Sequence, residues 1–284
     1  MTPDNPIGIF DSGVGGLTVL REIVRRLPTE DVVYFGDTAR VPYGSKSSPT
    51  VIRFAEEDCR FLMHHRPKLI VVACNTASSY AIDTLRRRIA TPLVGVIEPG
   101  ARAAVAATRS GRVGVIATQA TVNSQAYVRA VERLDPSVEV IQRASALLVP
   151  IVEEGRDGDD PVVAMVLDQY LAPLREAGVD VLVLGCTHYP LLTDAIARTM
   201  GDGVRLVDSA TETARTVTRV LGDGKGVRAP GGAAGRLTFM CSDNPELFGA
   251  IGSRFLDAPI AEVRHASPEE FFGTAAVSAA AEGR

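Results

Sequence analysis

Residues 70–79 read I-V-V-A-C-N-T-A-S-S, and this stretch decides the predicted fold. Its first four residues are small or β-branched and apolar, and polar residues follow Cys74. An apolar run bounded in this way is typical of a strand that is buried on both faces of a parallel sheet. A helical pattern follows at residues 80–88. Cys74 is therefore predicted at the carboxyl end of a strand, where open α/β sheets bind their ligands.

A second version of this stretch occurs later in the chain. Residues 181–190 read V-L-V-L-G-C-T-H-Y-P, and Cys186 ends the apolar run as Cys74 does in the first version. Earlier strand-like segments repeat as well, because residues 114–118 mirror residues 8–12 at an offset of 106 (114 − 8). The repeat predicts an α/β fold of two similar lobes. Each lobe is expected to be a mostly parallel sheet flanked by helices, with the active site in the cleft between the lobes.

Two further segments complete the predicted element order. Residues 93–97 are predicted to form a strand, and Glu98-Pro99-Gly100 a break before a helix at residues 101–108. Near the end of the chain, residues 260–264 are predicted to form an additional strand.

The composition excludes several classes of protein. A net charge of −4 and a pI near 5.7 give no electrostatic reason to expect binding to nucleic acid or to a membrane surface. No apolar run approaches the ~20 residues that span a bilayer, and the first residues lack the pattern of a signal peptide. The four cysteines are widely spaced, which favours free thiols in a reducing, cytoplasmic setting.

Two thiols at matching strand ends suggest acid–base chemistry. If the lobes face each other, Cys74 and Cys186 approach one cleft from opposite sides. Nearby helix N-termini are expected to lower the pKa of each thiol from ~8.5 toward neutrality. A thiolate on one side can then remove a proton from a carbon, and a thiol on the other side can return one. This is racemisation or epimerisation without a cofactor, and no metal site is predicted.

Polar residues beside the two strand ends are candidates for supporting roles. Asp11 and His188 could adjust the protonation of the thiols. Ser12, Asn75, Thr76 and Thr187 offer neutral donors that could hold substrate carboxylates.

Other chemistries for the same residues remain open at this point. A pyridoxal phosphate racemase needs a Schiff-base lysine, and no lysine follows a phosphate-binding pattern. Cys186 and His188 form only half of a zinc site. A Cys–His hydrolase could use His188 with either cysteine, but it would not explain the second cysteine. A thiol-redox pair and a non-catalytic amino-acid-binding module are further alternatives.

Five motifs in order resemble those of bacterial glutamate racemases, members of the cofactor-independent aspartate/glutamate racemase family. The resemblance covers residues 7–221 and continues more weakly to residue 264. The motifs are F-D-S-G-V-G-G-L-T-V (residues 10–19), G-D-T-A-R-V-P-Y-G (36–44), A-C-N-T-A-S (73–78), V-I-E-P-G (96–100) and L-G-C-T-H-Y-P-L-L (184–192).

The resemblance implies interconversion of L- and D-glutamate without a cofactor, which supplies D-glutamate for peptidoglycan. It implies that Cys74 acts on D-glutamate and Cys186 on L-glutamate, with Asp11, Glu153 and His188 as supporting acid–base residues. A racemase for aspartate or another acidic amino acid remains the near alternative. The implied substrate contacts are Asp11, Ser12, Pro42, Tyr43, Gly44, Asn75, Thr76, Thr187 and His188.

The resemblance also implies a two-domain organisation in a homodimer. Residues 1–97 and 208–266 are expected to form the first α/β domain, because the last part of the chain returns to it. Residues 98–207 are expected to form the second domain. Residues 267–284 are alanine-rich and polar, and are expected to be a disordered tail.

Overall fold

A computed structural model of the chain shows two parallel sheets with flanking helices. It describes residues 2–224, 226–228, 231–267 and 270–271. The strands are β1 (Ile7–Asp11), β2 (Val32–Gly36), β3 (Leu69–Val72), β4 (Leu93–Gly95), β5 (Arg112–Ala117), β6 (Glu139–Ala144), β7 (Val181–Gly185), β8 (Arg205–Asp208), β9 (Leu237–Cys241) and β10 (Arg264–His265). The helices are α1 (Leu17–Arg26), α2 (Ser48–Met63), α3 (Asn75–Arg88), α4 (Ile97–Ala107), α5 (Gln119–Ser124), α6 (Ala126–Leu134), α7 (Leu148–Glu153), α8 (Pro161–Glu176), α9 (Thr193–Met200), α10 (Ser209–Asp223) and α11 (Pro245–Leu256).

The two sheets repeat one strand order. The first sheet runs β10-β9-β2-β1-β3-β4, and the second runs β6-β5-β7-β8. The order β2-β1-β3-β4 therefore corresponds to β6-β5-β7-β8, strand for strand. Every strand pair is parallel, so the carboxyl ends of all strands in a sheet lie at one edge. The predicted fold of two similar parallel α/β lobes is confirmed.

The central strands are buried throughout, which explains their uninterrupted apolar sequences. All residues of β1, β3 and β7 are buried, because helices cover both faces of each sheet. These three strands end at Asp11, Val72 and Gly185. The residues that follow them, including the two cysteines of the repeat, therefore emerge at the ligand-binding edges of the sheets.

Helix α4 corrects the prediction for the segment around Pro99. A strand at residues 93–97 followed by a break was predicted, but β4 ends at Gly95 and one helix runs from Ile97 to Ala107. Pro99 is the third residue of this helix. The first four N–H groups of a helix have no partner within it, so a proline there sacrifices no hydrogen bond. The V-I-E-P-G motif is thus a helix start.

The C-terminal part of the chain joins the first sheet. Strand β9 pairs with β2, and β10 pairs with β9, whereas the predicted strand at residues 260–264 is wrong except for its last residue. Phe271 is buried against Phe35 and Phe61. The rest of the predicted tail, apart from residues 267 and 270, lies outside the described residues. The predicted domain boundaries, 1–97 with 208–266 and 98–207, stay a prediction.

Within the part of the chain that the structure describes, no helix combines the length and the apolarity needed to cross a lipid bilayer.

Candidate active site

A cavity of about 700 Å³ lies between the two lobes at the carboxyl ends of their strands. This volume falls within the range of about 300–1,000 Å³ that is typical of small-molecule sites. Nearly all of the residues predicted for the site line its wall. They are Ser12, Pro42, Tyr43, Gly44, Cys74, Asn75, Thr76, Glu153, Cys186, Thr187 and His188.

Cys74 caps the first turn of helix α3. Its sulphur accepts a hydrogen bond from the Ala77 amide at 3.5 Å, and its thiol donates to the Ser12 hydroxyl at 3.6 Å. Burial raises the pKa of the Cys74 thiol to about 12, and the charge of Asp11 adds to this effect. The predicted lowering of this pKa is therefore wrong, because desolvation outweighs the helix N-terminus. Cys74 is held as a neutral thiol.

Cys186 has a different environment. It precedes a short 3-10 helix (Tyr189–Leu192) rather than an α-helix, and its sulphur lies 3.8 Å from Nδ1 of His188. Nε2 of the same ring lies 2.8 Å from Oε1 of Glu153. The ring thus connects a thiol inside the cavity to a carboxylate at its wall.

The charge of His188 follows from these contacts. Burial alone would lower the pKa of the imidazole, but hydrogen bonds to Cys186 and Glu153 outweigh burial and raise this pKa to about 10. His188 is consequently a cation at neutral pH, and its Nδ1–H can donate to a thiolate at Cys186. The two thiols therefore have different neighbours, since Cys74 faces a buried carboxyl group and Cys186 faces a cation.

Asp11 lies behind the cavity wall rather than on it. It ends β1 in a fully buried position, where Oδ1 accepts from the Gly13 amide at 2.9 Å. Oδ2 is buried and has no hydrogen-bond partner among the described residues. Burial raises the pKa of Asp11, and the nearby His188 cation only partly offsets this. Its predicted direct contact with substrate stays a prediction; its position suits an electrostatic influence on Cys74.

A buried ionic network supports the loop that carries Pro42, Tyr43 and Gly44. The Tyr43 hydroxyl points away from the cavity and donates to Asp58 at 3.0 Å, with a further hydrogen bond to Asp37. Arg40 donates to the same two carboxylates, at 2.6 Å to Asp37 and 3.0 Å to Asp58. The side chain of Tyr43 is therefore committed to the network, so Tyr43 and Gly44 can offer a ligand only their backbone groups.

Three threonines connect the lobes beside the cavity, and two of them, Thr118 and Thr121, were not among the predicted site residues. The Thr76 hydroxyl lies 2.9 Å from that of Thr118 and 3.4 Å from that of Thr121, both on the second lobe. Thr118 lines the cavity. The signal was present in the sequence repeat, because Thr118 matches Ser12 at the offset of 106 residues.

A second contact joins the lobes beside the Cys186 strand end. The Thr18 hydroxyl, on α1, donates to the backbone oxygen of Thr187 at 3.0 Å. Gly15 allows this approach, because a Cβ at Gly15 would lie 2.2 Å from Oγ1 of Thr187 and 2.6 Å from Nδ1 of His188. The glycine-rich turn after β1 thus serves close packing between the lobes.

The fold and the site define a two-lobed α/β protein with paired thiols on one cleft. The chain belongs to the Asp/Glu/hydantoin racemase family, whose model matches residues 7–217.

Individual relatives agree with this assignment. The chain is 54% identical over 267 residues to the glutamate racemase of Geobacter metallireducens, covering 94% of this chain and 98% of the relative. It is similar to the crystal structure of a glutamate racemase isoform from Bacillus anthracis, with a TM-score of 0.88, 39% identity and coverage of 93% and 97%. It is also similar to the structure of the Francisella tularensis glutamate racemase in complex with D-glutamate, with a TM-score of 0.86, 34% identity and coverage of 93% and 97%.

Proposed function

We propose that this protein is an isomerase that interconverts L- and D-glutamate without a cofactor, using Cys74 and Cys186 as opposed acid and base. One observation carries the proposal: both thiols line the same cavity, each from the equivalent strand end of a different lobe. The substrate assignment rests on the relatives that are named glutamate racemases and match nearly the whole chain.

The proposed reaction is a two-base proton transfer at Cα. With L-glutamate bound, the Cys186 thiolate takes the Cα proton and becomes a thiol, and the C–H electron pair stays on the substrate as a carbanion. The Cys74 thiol gives its proton to the opposite face, which yields D-glutamate and a Cys74 thiolate. The reverse direction starts from that thiolate. Protons and charge balance, and no oxidant or reductant is needed.

The neighbours of each thiol support this assignment. The His188 cation, held by Glu153, stabilises the Cys186 thiolate that exists before L-glutamate is converted and after D-glutamate is converted. The high pKa of Cys74 makes it the proton donor in the resting cleft. When D-glutamate is the substrate, Cys74 must instead become the base, and the Ala77 amide is positioned to stabilise its thiolate.

The substrate carboxylates would bind to neutral donors along the wall. We assign Ser12, Asn75, Thr76 and Thr187 to this role, with the backbone N–H groups of Tyr43 and Gly44.

D-glutamate made in this way would supply peptidoglycan synthesis in the cytoplasm, and we propose that the protein acts there as a homodimer. The four cysteines are all free thiols, which is compatible with a reducing compartment.

Hydrogen exchange in D₂O tests the proposal. Purified protein without pyridoxal phosphate should abolish the circular dichroism of L-glutamate and incorporate deuterium at Cα. Cys74→Ser and Cys186→Ser should each lower racemisation by roughly 10²–10⁴-fold. Each variant should still exchange Cα hydrogen preferentially with one enantiomer, L-glutamate for Cys74→Ser and D-glutamate for Cys186→Ser.

The control variant is Cys241→Ala, since Cys241 is a buried strand residue away from the cavity wall. It should racemise glutamate at a rate close to that of the unmodified protein. Faster turnover of aspartate than of glutamate would reassign the substrate. A protein that leaves both optical rotation and Cα hydrogen unchanged would disprove the racemase proposal.

A further inference from the structure

The side-chain carboxamide of Asn75 has a hydrogen-bond partner for its oxygen but none for its nitrogen among the described residues. Its Oδ1 accepts a hydrogen bond from the hydroxyl of Tyr127 at 2.9 Å. Its Nδ2 is buried and has no hydrogen-bond partner among the described residues, and Asn75 is one of the residues that line the cavity. Leaving a buried N–H donor unpaired is costly, so such a group is expected to meet an acceptor on a ligand.

Tyr127 reaches Asn75 from the other lobe. It is fully buried on helix α6 of the second lobe, whereas Asn75 begins α3 of the first. Gly185 makes room for its ring, because a Cβ at this position would lie only 3.2 Å from Cε2 of Tyr127. Gly185 directly precedes Cys186. The ring of Tyr127 is therefore packed beside the end of β7. Its hydroxyl group donates to Asn75, which follows the end of β3.

We propose that Tyr127 is a positioning residue that sets the orientation of the Asn75 carboxamide, so that Nδ2 faces the cleft and donates to a carboxylate of the substrate. This inference rests on the proposed function, because it assigns the acceptor to an acidic amino acid.

The physical reason lies in the symmetry of the carboxamide. Its oxygen and its NH₂ group have nearly the same shape, so packing alone does not choose between the two orientations. The opposite orientation would point Oδ1 at the substrate carboxylate, and two acceptors would then face each other. A hydroxyl that donates to Oδ1 selects the productive orientation before the substrate arrives, which lowers the cost of binding.

The test is a double-mutant cycle on Tyr127→Phe and Asn75→Ala. Tyr127→Phe should raise KM for both enantiomers of glutamate by roughly three- to tenfold, with kcat changed less than twofold. In the Asn75→Ala background the same change should leave KM unaltered, because Tyr127 acts only through Asn75. Tyr189→Phe is the matched control, since it removes another fully buried tyrosine hydroxyl, which donates to the Ser145 carbonyl at 2.8 Å. It should leave KM within twofold.

Asn75→Asp provides a second variant that does not depend on the folding of Tyr127→Phe. It keeps an acceptor for the tyrosine but replaces the Nδ2 donor with an oxygen, so KM should rise at least as much as in Asn75→Ala. An unchanged KM in either Tyr127→Phe or Asn75→Asp would overturn the inference. So would an equal effect of Tyr127→Phe in both backgrounds. Unmodified protein that fails to turn over glutamate would reject the proposed function itself, and the inference with it.

Discussion

Nε2 of His188 lies 2.8 Å from Oε1 of Glu153, while Nδ1 of the same ring lies 3.8 Å from the sulphur of Cys186. Both contacts favour a protonated ring, and together they raise the pKa of His188 to about 10 despite its burial. The carboxylate sits at the mouth of the cavity with about a third of its side chain exposed, so water can reach it. The charge of the imidazole beside Cys186 is therefore set in part by a residue outside the loop that carries the thiol.

Glu153→Gln should shift the pH dependence of activity. The imidazole would lose its carboxylate partner, and its pKa would fall from about 10 toward the ordinary value of ~6.5. The cation that stabilises the Cys186 thiolate would then be lost as the pH rises through 7–8. We expect the alkaline limb of kcat/KM to move down by one unit or more, as measured from pH 6 to 10. Glu154→Gln is the matched control, because Glu154 is exposed and pairs with Arg156. Superimposable profiles for unmodified protein and Glu153→Gln would contradict this role.

Cys74→Ser should change how stability depends on pH. The folded-state pKa of this thiol, about 12, lies above its reference value of 9.0. The folded protein therefore holds the proton more tightly, and stability present below pH 9 is lost as the pH rises toward 12. Between pH 8 and pH 10 the unmodified protein should lose about 1 kcal/mol more of unfolding free energy than Cys74→Ser. Chemical denaturation at both pH values measures this, and parallel losses would refute it.

Gly15→Ala should disrupt the Cys186 side of the cleft. The new methyl group would lie within 2.2 Å of Oγ1 of Thr187 and 2.6 Å of Nδ1 of His188, which forces one of them to move. A displacement of about 1 Å at a catalytic group can cost on the order of 10²-fold in rate, so we expect kcat to fall by about that factor. The control is Gly203→Ala, because a Cβ at Gly203 meets no described atom within 4 Å. Comparable kcat values for the two variants would show that the close approach is not needed.

Arg40→Met should destabilise the first lobe and the loop that lines the cleft. Arg40 lies 2.6 Å from Asp37 and 3.0 Å from Asp58, both fully buried, so its loss removes the cation that lies between two buried carboxyl groups. Removing one partner of a buried ion pair typically costs about 3–5 kcal/mol. Thermal and urea denaturation should detect that loss, with a higher KM for glutamate. Arg53→Met is the control, since exposed Arg53 lies over the same Phe54 ring, at 5.2 Å, as Arg40 does at 4.1 Å. Equal stability of the two variants would argue against the network.

The repeated strand ends could be predicted because each depends on local sequence. An apolar run that stops at a cysteine predicts both the buried strand and the place where it ends, and two such runs predicted the paired lobes. Several residues of the cavity wall could be predicted from these strand ends, because Ser12, Asn75 and Thr187 directly follow them in the chain. Glu153 was predicted only from the resemblance of the chain to a known family. Nothing in the local sequence indicates that this residue contacts His188, which is 35 residues away in the chain.

Properties that depend on contacts between distant elements could not be predicted. The pKa of Cys74 is governed by burial between two lobes, whereas the sequence showed only the adjacent helix start. Tyr127 looks like an ordinary core residue of an amphipathic helix, and its contact with Asn75 spans 52 residues. The start of helix α4 was placed four residues too late, because a proline in a first turn resembles a proline in a break when only the residue types are known.

The matching strand orders, β2-β1-β3-β4 and β6-β5-β7-β8, have a consequence for the origin of the site. Duplication and fusion of a gene for a half-length chain would yield this architecture, with one cysteine inherited in each copy. Two identical copies facing each other would have offered identical groups to both sides of a bound molecule. In the present chain one side carries His188 and the other carries the buried Asp11. An enzyme that acts on both enantiomers of one molecule would thus descend from a symmetric assembly of two identical chains.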